Sequence, residues 1–199
     1  MDLGRRAAGQ QVHRTRPRRC ASPYDGAVDT VAERLEIDGG VLVGHDGSDH
    51  AVAALHRGVD LAKRYGLPLH VVRTWTMSSA PRPESWEPGY VPPLSDYEEA
   101  VLKSLTRDVE AAGLTPGKDV TLHVVHGAAA RRLVESSESA DLLVVSRRGR
   151  GGFAGLGLGS VTDQCIRHAG CPVVVVPARG TKDDLVEADR GVADSRPQQ

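Results

Sequence analysis

Residues 141–177 read DLLVVSRRGRGGFAGLGLGSVTDQCIRHAGCPVVVVP. Leu142–Val145 is an apolar run of strand length, and Val173–Val176 is a second. Between them lie a glycine-rich loop, six glycines in the eleven residues 149–159, and a short helical pattern that opens at Ser160. Glycine passes through φ > 0 without steric cost and lets a backbone come close to a ligand, but it costs entropy to order. A helix start adds unpaired N–H donors and the positive end of the helix dipole, which favours an anion. Strand, glycine loop and helix in that order therefore predict an α/β domain that binds a phosphate or nucleotide.

The preceding sequence repeats the strand–helix alternation. Val41–Val43 is a short apolar run that ends in Gly44-His45-Asp46-Gly47-Ser48. Ala51, Leu55, Val59 and Ala62 follow on one helical face, with Ser48 as N-cap and Gly66 as stop. Pro68–Val72 supplies a second strand; Tyr97, Val101, Leu105, Val109 and Ala112 space out a second helix closed by Gly113. Val120–Val125 reads as a third strand, and Gly127 leads into a third helix with Leu133 and Val134. Five strands alternate with four helices, and runs such as VVVV and LLVV are apolar on both faces. That pattern predicts an open, doubly wound parallel five-stranded sheet with helices on both faces. Residues 76–93 are too rich in proline for either regular element.

The ends differ from this core. Residues 1–38 carry six arginines in the first twenty positions and no hydrophobic period until about Val31, and are expected to be a disordered arm. Residues 179–199 read as a disordered polar tail. Of the 199 residues, 40% are hydrophobic and 26% charged, with a net charge of −1, which argues against a general affinity for nucleic acid or anionic membrane. Three scattered cysteines point to a reducing compartment rather than a disulfide framework. With no apolar stretch of membrane-spanning length, and no apolar segment behind the first arginines, the expected location is cytoplasmic.

Generic phosphate signatures fit poorly. No lysine precedes Ser160, so the P-loop pattern is absent. A literal GxGxxA at 149–154 follows the fourth strand rather than the first, with no acidic residue about twenty positions on, and is read as coincidence. The spacing of Gly149, nine residues, then Gly159-Ser160-Val161-Thr162, with Asp46-Gly47-Ser48 after the first strand and GCPVVVVP at the end, resembles the universal stress protein domain over residues 39–178. The pattern of the family's ATP-binding members is G-x2-G-x9-G-[ST]. Its second glycine falls on Gly149, its third on Gly159 and its hydroxyl on Ser160, while its first falls on Ser146.

The resemblance implies an adenine-nucleotide alpha-hydrolase-like sheet, ATP as ligand with or without Mg2+, and a regulatory role in stress response without fast catalysis. It implies that Asp46 lies against the adenosine, that Gly44 and His45 line the base, and that Thr74 flanks adenine. Gly149 would bring backbone amides to the ribose and phosphates; Gly159, Ser160 and Val161 would bind phosphates through amides and the Ser160 hydroxyl. A homodimer through Val173–Val176 is implied as well. Ser146, whose Cβ narrows the approach, motivates an alternative: a nucleotide-free dimeric adaptor of the same fold. An adenylating enzyme ranks last, because Gly44–Ser48 lacks the SGGxDS-like loop such enzymes carry. Plainer readings stand beside these: Ser160 with Asp163 fits a capping box, Asp46 fits a turn, and Cys165 and Cys171 fit packing. Neither a catalytic set nor a metal cluster is expected.

Overall fold

The computed structural model describes residues 31–150 and 157–177. Residues 1–30 of the expected arm, residue 178, the expected tail 179–199 and residues 151–156 of the glycine loop lie outside the described residues. In chain order the elements are β1 (Val41–Gly44), α1 (Asp49–Tyr65), β2 (Leu69–Trp75), α2 (Leu94–Ala111), β3 (Thr121–His126), α3 (Ala129–Ser137), β4 (Leu142–Ser146), α4 (Ser160–His168) and β5 (Val173–Val176). The strands form one sheet in the order β3-β2-β1-β4-β5, every pair parallel. This is the predicted doubly wound α/β sheet. From β1 the chain first winds outward through β2 and β3, then returns to place β4 on the other side of β1. The order reverses between β1 and β4, whose register sets Val41 against Leu142 and Val43 against Val144.

Side-chain alternation divides the core between the two faces of the sheet. Val41, Val43, Val71 and Val144 pack with Leu55 of α1 and Leu105 and Val109 of α2. Leu42, Val72, Leu143 and Val145 pack with Leu133 of α3 and Cys165 of α4. Because both faces are covered, β1 and β4 had to be apolar at nearly every position. Cys165 is fully buried, and burial pushes its thiol up to about 11, as a packing residue requires.

Helix α1 follows its sequence signals. The Ser48 hydroxyl accepts from the Ala51 N–H at 3.3 Å, and Gly66 takes the left-handed stop at φ 65°. Gly58, inside α1, faces β1: a Cβ there would stand 2.3 Å from Val43 Cγ2. Valine is stiff at χ1 and Val43 has no exposed surface, so it has nowhere to turn. Gly58→Ala is expected to cost about 1–2 kcal/mol, overpacking outweighing the better helix propensity of alanine, as chemical denaturation would read.

Three boundaries differ from the sequence reading. Residues 31–38, assigned to the arm, pack against the domain: Leu35 is 7% exposed among the Leu42 and Val125 side chains, and the Ala32 carbonyl accepts the His126 N–H at 2.7 Å. Their apolar residues have no helix or strand period, so no pattern announced them. Helix α2 starts at Leu94, before Tyr97; Ser95 and Asp96 of its first turn are polar and continue no apolar period. Strand β2 continues through Arg73, Thr74 and Trp75, held by pairing with Val124, Val125 and His126 of β3. On these two strands His70 Nδ1 and His123 Nε2 meet at 3.1 Å.

Segment 76–93 holds turns and no regular element. It is nonetheless anchored: Pro83 and Pro92 are buried, Ala80 packs on Trp75 and Tyr97, and the Arg82 guanidinium lies 4.5 Å over the Trp86 ring. Among the described residues no helix is long and apolar enough to cross a membrane.

Candidate functional site

Parallel strands whose order reverses leave a crevice beyond their C-terminal ends, because the two connections diverge to opposite faces. Here the crevice opens above β1, β2 and β4 as a cleft of about 620 Å³. Gly44, His45, Asp46, Thr74, Ser146, Gly149, Gly159, Ser160 and Val161, the nine residues singled out in the sequence, all line it. Val72, Leu133 and Val145 give it an apolar floor, and Thr76 and Ser79 bring the start of the proline-rich segment to its rim.

Asp46 holds the two sides of the crevice together. Its Oδ1 accepts from the Ser48 N–H at 3.0 Å and the Ser48 hydroxyl at 2.6 Å, and its Oδ2 accepts from the Arg150 N–H at 2.9 Å. Burial alone would raise its pKa, but these donors outweigh burial and hold the carboxyl below its ordinary value. The turn reading of Asp46 therefore describes its side chain. Gly149 is explained by the same contact: a Cβ there would stand 2.6 Å from Asp46 Oδ2.

His45 turns its ring away from solvent. The ring has no exposed surface; Nδ1 accepts the Gly47 N–H at 3.2 Å and lies 3.9 Å from Asp108 Oδ2 of α2. Burial lowers its pKa against the pull of Asp108 and Asp46, so the ring is neutral and carries its proton on Nε2, which has no acceptor among the described residues. What His45 presents to the cleft in this arrangement is backbone.

Ser146, at the position of the expected first glycine, donates its hydroxyl to the Arg148 carbonyl at 2.8 Å. That bond ties the start of the loop to itself, and the Thr162 hydroxyl fastens α4 beneath it by donating to the Ser146 carbonyl at 2.8 Å. The capping-box reading of Ser160 and Asp163 is corrected. The N-cap of α4 is Gly159, extended at φ −74° and ψ 151°, and Ser160 is the first helical residue. Asp163 binds Arg167 one turn on, at 2.9 Å. The Ser160 hydroxyl thus has no partner among the described residues. Neither do the N–H groups of Gly149, Ser160, Val161 and Thr162, the last three being orphan donors of the first helical turn.

Three arginines complete the wall. Arg73 of β2, 4% exposed, gives Nη1 to Ser104 Oγ at 3.0 Å and Asp108 Oδ2 at 3.4 Å, and still lines the cleft. Arg148 and Arg150 line it from the loop after β4. An arginine within an apolar strand reads as the end of that strand, so Arg73 left no signal; Arg148 and Arg150 were visible as charge beside the loop.

An α/β sheet with a donor-rich cleft at its switch point is an architecture shared by many proteins, and comparison with known proteins narrows it. The model of the Universal stress protein family matches residues 40–177, and the chain belongs to that family. Among similar proteins, Universal stress protein Rv2005c of Mycobacterium tuberculosis is 33% identical over 155 residues, covering 75% of this chain and 50% of the relative. Universal stress protein Rv2623 of the same species is 34% identical over 135 residues, covering 68% of this chain and 44% of the relative. The chain thus spans about half the length of these curated relatives. Among solved structures, universal stress protein UspA from Lactobacillus plantarum has a TM-score of 0.54 at 21% identity, covering 71% of this chain and 99% of that one. Hypothetical protein MJ0577 has a TM-score of 0.52 at 17% identity, covering 72% and 99%. Both are likenesses of fold.

Proposed function

We propose that the cleft binds an adenine nucleotide, ATP in the first instance, and that the protein acts as a nucleotide-binding regulator in a stress response. In this reading the base lies between Gly44–Asp46 and Thr74 over the apolar floor. The phosphates meet the amides of Gly149 and Ser160–Thr162 and the Ser160 hydroxyl. The observation that carries it is Gly159. Its backbone is extended, and a Cβ there would meet nothing closer than 3.5 Å, so neither φ nor packing within the described residues calls for glycine. That Cβ would lie 3.8 Å from the Gly149 nitrogen, in the space beside a free N–H donor. Space kept beside unpaired donors fits the close approach of an anion. Among the described residues the cleft offers no free pair of carboxylates, so Mg2+ would come with the phosphates rather than with a protein site.

Calorimetric titration of the purified chain with ATP, AMP and adenosine tests this. Binding with ATP at least as tight as adenosine supports it; no heat with any of the three at millimolar concentration ends it. A second reading, the dimeric adaptor, draws on two observations. The Ser146 hydroxyl is spent within the loop, and β5 ends the sheet with Val173–Val176 only partly buried. An unpaired apolar edge strand invites pairing with another copy. Sedimentation beside the ATP titration separates the readings: a dimer that binds no adenine nucleotide supports the adaptor, and a monomer at high concentration excludes it.

A further inference from the structure

We propose that Arg73 and Arg150 form a second anion subsite over Gly47 that takes a phosphoryl group, apart from the amides at the start of α4. The two guanidinium groups arrive from different elements, β2 and the loop after β4, yet converge on one residue. A Cβ built on Gly47, whose φ is 78°, would lie 2.5 Å from Arg150 Nη2 and 3.2 Å from Arg73 Nη1. Arg150 Nη2 also reaches the Gly47 carbonyl at 3.4 Å. After burial, the charge of Arg150 is the next largest influence disfavouring the charge on Arg73, so like charges are held together here.

Asp108 and Asp46 offset part of the charge on Arg73, but neither forms an ion pair with the Arg150 guanidinium among the described residues. Asp108 binds Arg73 through Nη1, and Asp46 is occupied by Ser48 and by the Arg150 backbone. Arg148 and Arg150 have no ion pair among the described residues, and the sequence 151–156, GGFAGL, contains no acid. On the outer side of the Gly149–Arg150 turn, Arg148 and Arg150 line a further hollow of about 450 Å³ with Ser48 and His50, where Asp49 is the one acidic residue. Arg150 therefore stands in a wall shared by two spaces, reachable from either. Guanidinium forks match the oxygens of a phosphoryl group in pairs, and a buried, pre-oriented fork such as Arg73 loses little freedom on binding.

The phosphoryl group has two possible sources, free phosphate or the terminal phosphate of a bound nucleotide; the second rests on the nucleotide reading above. Calorimetry of the full chain with inorganic phosphate, adenosine, AMP and ATP at low salt, on wild type, Arg150→Gln and Arg73→Gln, tests the subsite. The expected result is a loss of about tenfold in binding of phosphate or of ATP in both variants, with adenosine and AMP unchanged. Phosphate that still binds AMP-saturated protein identifies the free ion. A lost preference of ATP over AMP identifies the terminal phosphate. If Arg73→Gln melts lower, exposed Arg150 decides alone. The proposal is overturned if wild type neither binds phosphate nor prefers ATP to AMP, or if Arg150→Gln changes neither. Phosphate binding without adenosine or AMP binding would instead sink the nucleotide reading and leave the subsite standing.

Discussion

Protein carrying Gly159→Ala is expected to melt with the wild type and to bind ATP about ten- to a hundredfold more weakly. The stability half of this follows from geometry. At φ −74° and ψ 151° alanine is as comfortable as glycine, and its methyl would meet the Arg147 carbonyl and the Arg148 Cα at 3.5 Å, an ordinary contact. The binding half follows from where that methyl goes, beside the free Gly149 N–H and at the entrance to the first turn of α4. Gly149→Ala is the control that separates the two effects. There the methyl strikes Asp46 Oδ2, the atom that accepts the Arg150 N–H, so stability and binding should fall together. Thermal melts alongside ATP titrations of both variants read the contrast. Equal ATP affinity in wild type and Gly159→Ala would remove the main support for phosphate binding at this loop.

Acidification from about pH 6.5 to about pH 4 should cost the fold roughly 2–3 kcal/mol through His123 alone. Burial first, and the neighbouring His70 second, push the His123 pKa down to about 4. An unfolded histidine takes up its proton near the ordinary value of 6.5, whereas His123 in the folded chain stays neutral until about pH 4. Between these limits the unfolded state binds more protons, so stability rises with pH and falls as acid is added. His70 and His45, both lowered by burial, tilt the profile the same way; Glu98, whose carboxyl burial raises, opposes it. The 3.1 Å contact of the imidazoles gives the physical reason: one neutral ring donates to the lone pair of the other, and two imidazolium ions do not fit that arrangement. Urea denaturation across this range should show the slope, and His123→Gln should flatten it. A wild-type profile level between pH 4 and 6.5 would contradict the assignment.

Much of this architecture was written in local pattern. Val41–Val43, Leu142–Val145 and Val173–Val176 are apolar on both faces because the sheet is covered on both, and that requirement survives in any single strand. Ser48 and Gly66 close α1 by local hydrogen bonding and φ alone, so they too were legible. The meeting of the loops after β1 and β4 was not, because adjacency of β1 and β4 belongs to topology and no local signal encodes it. Asp46 shows the limit within the site: its position could be named, but its three donors come from Ser48 beside it and Arg150 across the crevice. Ser160 failed differently. Ser-x-x-Asp is a fair capping signature, but Gly159 occupies the cap and Asp163 is drawn to Arg167, so the tertiary arrangement overrode the local motif. Residues 31–38 were missed because one buried leucine and a carbonyl serving a sheet edge make no periodicity.

The placement of β1 between β2 and β4 also dictates when the cleft comes into being. Strands β1 and β2 are separated only by α1, and their pairing closes a short loop. The bonds that join the β1 side to the β4 side, Gly40 to Asp141 and Asp46 to Arg150, span 101 and 104 residues. Contacts of such sequence separation carry the largest closure entropy and form slowly. A chain that has docked β1, β2 and β3 already owns Thr74, Arg73 and the Asp46 turn but has no pocket. Refolding followed by nucleotide capture should accordingly lag behind refolding followed by Trp75 fluorescence in a Trp86→Phe background, since the opposing wall arrives with the last half-sheet.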